Sequence, residues 1–337
     1  MSNHTALPTL LRSFFEEYLA AQRDVSANTI HAYRDGLKLL LRFAANRSGR
    51  QVVRLRLSDL GVDTVLAFLG YLETERKNCV ATRNCRLVAV HRFFAYVAHT
   101  DPRHIEQCRR VLDIPIKKTV SRTTTYLERD EMKGMLAVPS PSHRLGLRDL
   151  ALLTLLYNSG ARASEAVGLN IRDIRFETPA QVRILGKGRK ERACPIWPET
   201  VKALREYLET RDDRDCLDAP LFLNNHRGRL SRFGVVTVVK RHATAAARLQ
   251  PSLAAKLVTP HTLRHTAAMH LLQAGVELNV IKSWLGHVSI TTTSQYIEID
   301  MAMKREALER CAPPVPTQPG DSPWHCRQDI ITWLEDL

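Results

Sequence analysis

Large apolar residues recur at helical spacing through most of the first 112 residues, and this pattern constrains the fold more than any other. Between Leu10 and Leu19 they fall three or four positions apart, which places them on one face of a helix. The pattern returns after Ser26, a residue type that often begins a helix, and again over 60–73 and 81–98. Amphipathic helices bury their apolar faces against one another. Residues 1–112 are therefore predicted to form a small helical bundle.

The rest of the chain has a different character. Residues 113–126 are polar and basic without a helical stripe, as in an extended linker. Beyond them, helical patterns alternate with three short strand-like pieces, two of which flank the glycine-containing turn 186–190. The predicted fold class is mainly α with a small antiparallel β-sheet. The predicted division is a first domain over 1–112, a linker over 113–126, a second domain over 127–311, and a proline-rich tail over 312–337 that ends in a short helix.

Charge and cysteine usage narrow the class of protein. Among 337 residues, 49 are Lys or Arg and 35 are Asp or Glu, a formal net charge of +14. Such a surplus favours a polyanionic partner, most often nucleic acid, over a basic surface that is merely solvated. The seven cysteines form no C-x-x-C pair, which favours reduced thiols in the cytoplasm. No signal peptide or membrane-spanning run is recognisable, so we expect no membrane partner.

Six polar residues in the second region suit one chemical task. Two guanidinium groups can bind the equatorial oxygens of a phosphodiester under attack. A phenol with an ordinary pKa of about 10 needs nearby cations or a base to act as a nucleophile. A histidine can take its proton, and a lysine can protonate the departing alkoxide. We therefore expect one phosphodiester site built from Arg162, Lys187, His261, Arg264, His287 and Tyr296.

The same residues carry a resemblance to a known family. Over roughly residues 8–310, the chain resembles tyrosine site-specific recombinases of the phage integrase superfamily, most of all the Xer type. The motifs follow the family's order and spacing. The matching segments are Ser159–Leu169 (containing Arg162 and Glu165), Gly186–Arg192 (containing Lys187), His261–His265 (containing Arg264), Leu285–His287 and the single residue Tyr296.

The resemblance implies a fold and a mechanism. The first domain would be a SAM-like core-binding domain, and the second would be the catalytic domain. Tyr296 would attack the scissile phosphate and form a 3′-phosphotyrosyl link, while Arg162 and Arg264 clamp the phosphate. Lys187 would be the general acid, His261 would assist proton transfer, and His287 would bind the phosphate or orient the phenol. Glu165 and His265 would support the site, and neither a metal nor a nucleotide cofactor would be needed.

The resemblance also implies partners. The substrate would be a double-stranded DNA recombination site, cut and rejoined to integrate, excise or resolve DNA. Four protomers, of this chain alone or with another recombinase, would act on two duplexes, and the helix over 301–311 would dock on a neighbour. The proline-rich tail suggests a mobile-element recombinase as much as a resolvase of replicon dimers. Candidates for DNA contact are Thr29, Tyr33, Arg34, Arg83, Arg86, Arg229, Ser231, Lys240 and Arg241.

Three other functions compete with this interpretation. His261 and His265 have the i, i+4 spacing of a zinc hydrolase, but no glutamate stands between them as in H-E-x-x-H. A DNA-binding accessory protein without catalysis has the same charge, although six intact chemical positions argue against it. A type IB topoisomerase uses similar chemistry, and the Leu285–His287 step with the two-domain layout favours the recombinase.

The charge predicts how DNA affinity depends on salt. Contacts between Lys or Arg and phosphates release counterions, so the logarithm of the affinity should fall linearly with the logarithm of salt, by about 0.9 per phosphate contact. Duplex binding measured by fluorescence anisotropy between about 50 and 200 mM salt, the range in which several contacts cost orders of magnitude, tests this. A flat dependence would contradict binding through a basic surface.

Overall fold

The computed structural model of the chain describes residues 6–119, 125–186, 188 and 190–286. The chain divides into two compact units, Met1–Arg122 and Thr123–Leu337. The predicted site residues Lys187, His287 and Tyr296 lie outside the described residues. So do the helix predicted over 301–311 and the tail 312–337.

The described part of the first unit consists of helices and their connections. Four predicted helices are present, the first widening into a π-helical stretch, and Ser26 occupies the N-cap of the second. A fifth α-helix, which the sequence analysis did not separate, follows them. The helices are α1 (Leu7–Ser13) with its π-helical continuation (Phe14–Gln22), α2 (Ala27–Ser48), α3 (Val62–Thr74), α4 (Val80–Thr100) and α5 (Ile105–Leu112).

Aromatic side chains fill the core of this bundle. Phe14, Phe68, Phe93 and Phe94 are fully buried. Phe14 meets Phe93 edge to face, with ring centroids 5.5 Å apart. Burial of each such side chain contributes about 2–3 kcal/mol. The first unit therefore has a hydrophobic core of its own.

Arg83 corrects one expectation about the basic surface. It was named as a candidate for DNA contact, yet it is only 4% exposed. Its Nη1 donates to the carbonyl of Pro115 at 3.3 Å, and the amide of the adjacent Asn84 pairs with the backbone of Lys117. Lys117 also forms an ion pair with Glu73. The first residues of the predicted linker are therefore bound to the bundle, and Arg83 is used to hold them.

The second unit combines helices with a three-stranded antiparallel sheet, as predicted. The strand order is β1-β2-β3, and Val182 pairs with both Ile174 and Cys194. The elements are α6 (Arg129–Leu136), α7 (Arg144–Ser159), α8 (Ala163–Gly168), β1 (Ile174–Arg175), β2 (Gln181–Leu185), β3 (Glu191–Pro195), α9 (Pro198–Glu209), α10 (Arg232–Ala246), α11 (Pro260–Gln273) and α12 (Leu278–Leu285). None of the helices in the described ranges is long and apolar enough to cross a membrane.

Helix α7 is the centre of the second unit. Most of its residues are buried, and it packs against α9 and α11. Near its C-terminal end the side-chain carbonyl of Asn158 accepts from the backbone of Trp197 and the hydroxyl of Thr200. The backbone carbonyl of Asn158 accepts a hydrogen bond from the indole Nε1 of Trp284 at 3.0 Å. A single residue thus ties α7 to the start of α9 and to α12, which fixes the end of α7 from which the site begins.

A buried carboxylate joins α7 to α10. Asp149 is 1% exposed and accepts hydrogen bonds from Arg148 and Arg241, with His242 Nε2 at 2.9 Å. Burial alone would raise the pKa of Asp149, but the hydrogen bond from His242 and the charges of Arg148 and Arg241 hold it below its ordinary value. Its stabilising contribution is present at neutral pH and is lost as the pH falls through the lowered pKa.

Asp149→Ala should destabilise the second unit. The substitution leaves Arg148 buried without its carboxylate, and removing one partner of a buried ion pair typically costs about 3–5 kcal/mol. Urea unfolding followed by circular dichroism measures the change. Asp218→Ala is the matched control because Asp218 pairs with Arg172 at the exposed surface, where such pairs contribute less than about 1 kcal/mol. Equal losses in the two variants would refute the argument.

Candidate active site

The site begins where α7 ends. Gly160 has φ of +58°, a left-handed conformation that favours glycine. A Cβ at this position would lie 2.3 Å from Leu285 Cδ2, so the chain here passes close to the end of α12. Glycine is therefore required at this turn both for its backbone conformation and for the close approach. The chain then reverses and enters α8, whose N-cap is Arg162.

Arg162 and Glu165 contact each other at the start of α8. Arg162 Nη1 donates to Glu165 Oε1 at 2.7 Å, and the backbone N–H of Arg162 donates to Oε2 at 2.9 Å. The second bond caps the helix. The Glu165 side chain is 4% exposed, whereas that of Arg162 is 39% exposed. The buried carboxylate thus holds a guanidinium group that reaches the surface.

A second arginine shares the carboxylate of Glu165. Arg192, on β3, donates from Nη2 to Glu165 Oε2 at 2.7 Å and from Nε to the carbonyl of Trp284 at 3.0 Å. Burial alone would raise the pKa of Glu165, but hydrogen bonds from Arg192 and from the backbone of Arg162 hold it below its ordinary value. Glu165 is therefore ionised at neutral pH.

Arg264 is fixed by the helix that carries it and by two carbonyls. Thr259 caps α11 by accepting from the backbone of Thr262, and Pro260 follows at the first helical position. Arg264 is buried and donates to the carbonyls of Gly160 and Leu285, each at 2.6 Å. Its guanidinium group therefore lies between the turn that leads to Arg162 and the end of α12.

The end of α12 is bound by two guanidinium groups. The last carbonyls of a helix lack partners within the helix, and here Trp284 and Leu285 receive theirs from Arg192 and Arg264. Gly286 follows the last helical residue with φ of +65°, a left-handed conformation that favours glycine. Cations at a helix C-terminus also interact favourably with its dipole. The chain thus leaves α12 toward residue 287 from a point fixed by both arginines.

His261 lies near the two arginines expected to bind phosphate. Desolvation lowers its pKa from the ordinary value of 6.5, and the positive charges of Arg264 and Arg162 lower it further. The ring of His265, one turn later, meets it at an angle of 69° with centroids 4.1 Å apart. His261 is exposed, so a substrate can reach it, and the two positive charges favour its neutral form, which can accept a proton.

The structure brings together the described residues that were predicted to form or support the phosphodiester site. Arg162, Glu165, His261, His265 and Arg264 lie around the turn at residue 160, the start of α11 and the end of α12. Gly186, the residue before Lys187, adjoins this cluster because a Cβ there would be 3.6 Å from Glu165 Oε1. The described residues contain no group of three or more His, Cys, Asp or Glu side chains that could hold a metal ion.

Sequence reasoning assigned no role to Arg192. It stands within the segment that resembles the family, but its partners lie 27 and 92 positions away. Its position on a strand that follows a glycine turn was the available signal, and that signal does not reveal where the side chain points.

The predicted DNA contacts on α10 and before it differ in their surroundings. Ser231 caps α10 by accepting from the backbone of Gly234, and Lys240 is exposed. Arg241, in contrast, is paired with Asp149. Arg229 donates to the carbonyls of Val167 and Leu169 and to the side chain of Asn170. These two arginines therefore already serve as cross-links within the unit.

The predicted DNA contacts in the first unit are at least partly exposed, with Arg83 the exception. Arg34 is exposed beside Asp35, and Thr29 is half-buried with its hydroxyl 3.0 Å from that of Ser26. Tyr33 packs partly against the core. Arg86 is half-buried and donates to the carbonyl of residue 32 at 3.3 Å.

Comparison with known proteins gives matches over both units. The phage integrase family matches residues 125–303, and the phage integrase N-terminal SAM-like domain matches residues 13–101. The integrase/recombinase y4rC of Sinorhizobium fredii is 42% identical over 313 residues, which cover 93% of this chain and 94% of that protein. Tyrosine recombinase XerC of Pelobacter propionicus is 32% identical over 304 residues, covering 89% and 94%.

Solved structures share the fold at lower identity. The Tn1549 transposon integrase, in complex with a circular intermediate DNA, superposes with a TM-score of 0.65 at 16% identity and covers 88% of this chain and 98% of that one. The XerH recombinase, bound to its difH substrate after cleavage, superposes with a TM-score of 0.64 at 22% identity, covering 88% and 84%.

Fold and comparisons together define a DNA strand-breaking and rejoining enzyme of the tyrosine recombinase class. The chain belongs to the phage integrase family, with a SAM-like N-terminal domain and a C-terminal integrase domain, and it is Xer-like. The resemblance seen in its motifs is thereby confirmed, and its activity is site-specific recombination.

His261 should titrate below the ordinary histidine value of 6.5. The folded state favours its neutral form, so protonation opposes folding as the pH falls. Nuclear magnetic resonance of the imidazole Cε1–H, assigned with His261→Gln, gives the midpoint. Arg162→Met should move it upward, because one nearby positive charge is removed. A midpoint at or above 6.5 in the unaltered protein, or no shift in the variant, would contradict the charge cluster.

Proposed function

We propose that Tyr296 is the nucleophile of this recombinase and that Arg162 and Arg264 bind the scissile phosphate. The observation that supports the arginine roles is that Glu165 holds the Arg162 side chain, while Arg264 donates to the carbonyl of Gly160, two residues before Arg162. Paired guanidinium groups stabilise the charge that grows on the phosphate oxygens during attack. Tyr296 is proposed from its place in the family's motif order.

The proposed reaction is a transesterification. The Tyr296 oxygen attacks phosphorus, a bond to the tyrosyl oxygen forms, and the bond to the 5′ oxygen breaks. His261 accepts the phenolic proton, Lys187 protonates the departing oxygen, and His287 binds the phosphate or orients the phenol. A 5′-hydroxyl from the partner duplex then reverses the step. One phosphoester bond is made for each one broken, so the exchange needs no nucleotide cofactor.

Glu165 and His265 are proposed to support this chemistry without acting on the phosphate. Glu165 fixes the Arg162 side chain through a direct bond of 2.7 Å. His265 packs against the His261 ring and restricts its orientation. Holding reacting groups in position contributes to catalysis because misplacement by about 1 Å can cost about 100-fold in rate.

The proposed substrate is a double-stranded DNA site bound by both units, with residues 1–112 as the core-binding domain, 113–126 as the linker and 127–311 as the catalytic domain. Complexes of the Tn1549 integrase and XerH with DNA support this. Thr29, Tyr33, Arg34 and Arg86 in the first unit, and Ser231 and Lys240 in the second, are the proposed contacts. Four protomers on two duplexes, of one or two kinds, are the proposed assembly, acting in the cytoplasm where such DNA lies.

We propose mobile DNA as the biological substrate, with integration or excision as the outcome. The support is the order of similarity: the integrase/recombinase relatives y4rC and y4rD are 42% and 39% identical, against 32% for XerC of Pelobacter propionicus. Resolution of replicon dimers would use the same chemistry on a different site.

Nicked suicide duplexes, tiled across the DNA that flanks the gene of this chain, test the proposal. A protein–DNA adduct on a denaturing gel, with the modified peptide mapped to Tyr296, would establish the reaction and locate the DNA site. Relaxation of supercoiled plasmid without any such site would indicate topoisomerase activity. Tight binding without an adduct, even with a partner recombinase added, would indicate a DNA-binding protein.

Tyr296→Phe should bind the recovered duplex with unchanged affinity and form no adduct, because the attacking oxygen is removed. Tyr157→Phe is the matched control, since Tyr157 contacts His270 rather than the proposed site and loses only one hydrogen bond. It should keep adduct formation. Covalent trapping by Tyr296→Phe would show that the nucleophile is another residue.

A further inference from the structure

Arg192 contacts several parts of the candidate active site, although the proposed reaction gives it no role. Its side chain lies on β3 and is 10% exposed. One end of the guanidinium group binds Glu165, and the Nε binds the carbonyl of Trp284. Its Nη1 lies 3.5 Å from where a Cβ of Gly186 would be and 3.0 Å from where a Cβ of Gly286 would be.

Each of these contacts adjoins a residue of the proposed chemistry. Glu165 holds Arg162, Gly186 precedes Lys187, and Gly286 precedes His287. The planar guanidinium group presents five N–H donors in a fixed geometry, so it can bind two partners at a set separation. A lysine ammonium, a single point charge, cannot reproduce that geometry.

Helix α12 depends on such external bonds. It has eight residues, and helices this short are marginal in water without tertiary contacts. Its apolar side packs through Ile281 and Leu285 into a small core with α11. Its last carbonyls are held by Arg192 and Arg264, and the Arg192 side chain occupies the space beside Gly286. Without Arg192 the carbonyl of Trp284 loses its side-chain partner.

We propose that Arg192 is a positioning residue that sets the placement of the end of α12 relative to Arg162, and so aligns the phosphate-binding groups of the site. The proposal rests on the function proposed above. Arg192 acts through Glu165 and the carbonyl of Trp284 rather than on the phosphate itself, and this distinguishes it from Arg162 and Arg264.

The first test needs no DNA. Amide hydrogen exchange of the full chain, measured by mass spectrometry, should show residues 281–286 exchanging at least tenfold faster in Arg192→Met than in the unaltered protein. Helix α10 should be unchanged, which shows that the unit remains folded. Arg183→Met is the matched control because Arg183 lies on the neighbouring strand in an exposed pair with Asp173, and it should change neither segment. Unchanged exchange at 281–286 in Arg192→Met would overturn the proposal.

The second test measures cleavage in a single turnover on the duplex recovered above. Arg192→Met should reduce the cleavage rate about 100-fold, as expected for misplaced groups, with duplex affinity unchanged. Arg192→Lys should restore only part of the rate, because lysine has the positive charge but lacks the planar set of N–H donors of the guanidinium group. An equal loss of affinity and rate would instead indicate a contact to DNA and would overturn the proposal.

A DNA substrate with sulfur in place of the bridging 5′ oxygen distinguishes a defect in protonating the leaving group from a defect in aligning the phosphate. When sulfur replaces the bridging 5′ oxygen, the leaving group needs no proton, so Lys187→Ala should regain cleavage. Arg192→Met should not, since its defect lies in phosphate alignment. If Arg192→Met regained cleavage of this substrate, Arg192 would act through Lys187, and the proposal would be overturned. If the unaltered protein cleaves neither substrate, the proposed function fails, while the exchange result still judges the structural role.

Discussion

The buried carboxylate of Glu165 is the interaction on which the arrangement of the site depends. It lies between the guanidinium groups of Arg162 and Arg192, with an oxygen 2.7 Å from each. Like charges repel, by about 4 kcal/mol at a separation of about 4 Å and an effective dielectric constant of 20, so a negative charge between the two guanidinium groups offsets a substantial cost. The carboxylate also caps α8, which carries Arg162. Charge balance and helix capping are thus combined in one side chain.

The helical part of the fold could be predicted because its cause is local. Apolar spacing predicted helices over 60–73 and 81–98, and the observed α3 and α4 begin and end within a few residues of these bounds. The hydrogen-bond partners of Arg83 could not be predicted from apolar spacing. The spacing of Arg83, four residues before Leu87 and seven before Val90, places it on the buried face of α4, but the residues that bind it, near Pro115, are 32 positions away and belong to a segment without periodicity.

The site shows the same division between local and distant causes. The contact of Arg162 with Glu165 follows from a spacing of three residues, and the placement of His261 near Arg264 follows from one turn of α11. The meeting of α8, β3, α11 and α12 does not follow from spacing, since it requires their packing to be known. Motif order indicated that these segments belong together, whereas the hydrogen bonds that join them became visible only in three dimensions.

The hydrogen bonds that assemble the site join residues far apart in the sequence, and this affects the order in which the protein folds. The bonds that hold the end of α12 and the turn at Gly160 join residues 92, 104 and 126 positions apart. Closing such long loops carries an entropic cost that must be met before the contacts form, so they are expected late in folding. A nascent or partly folded chain therefore lacks the assembled site that is proposed to bind phosphate, so DNA cleavage should begin only after the second unit has folded.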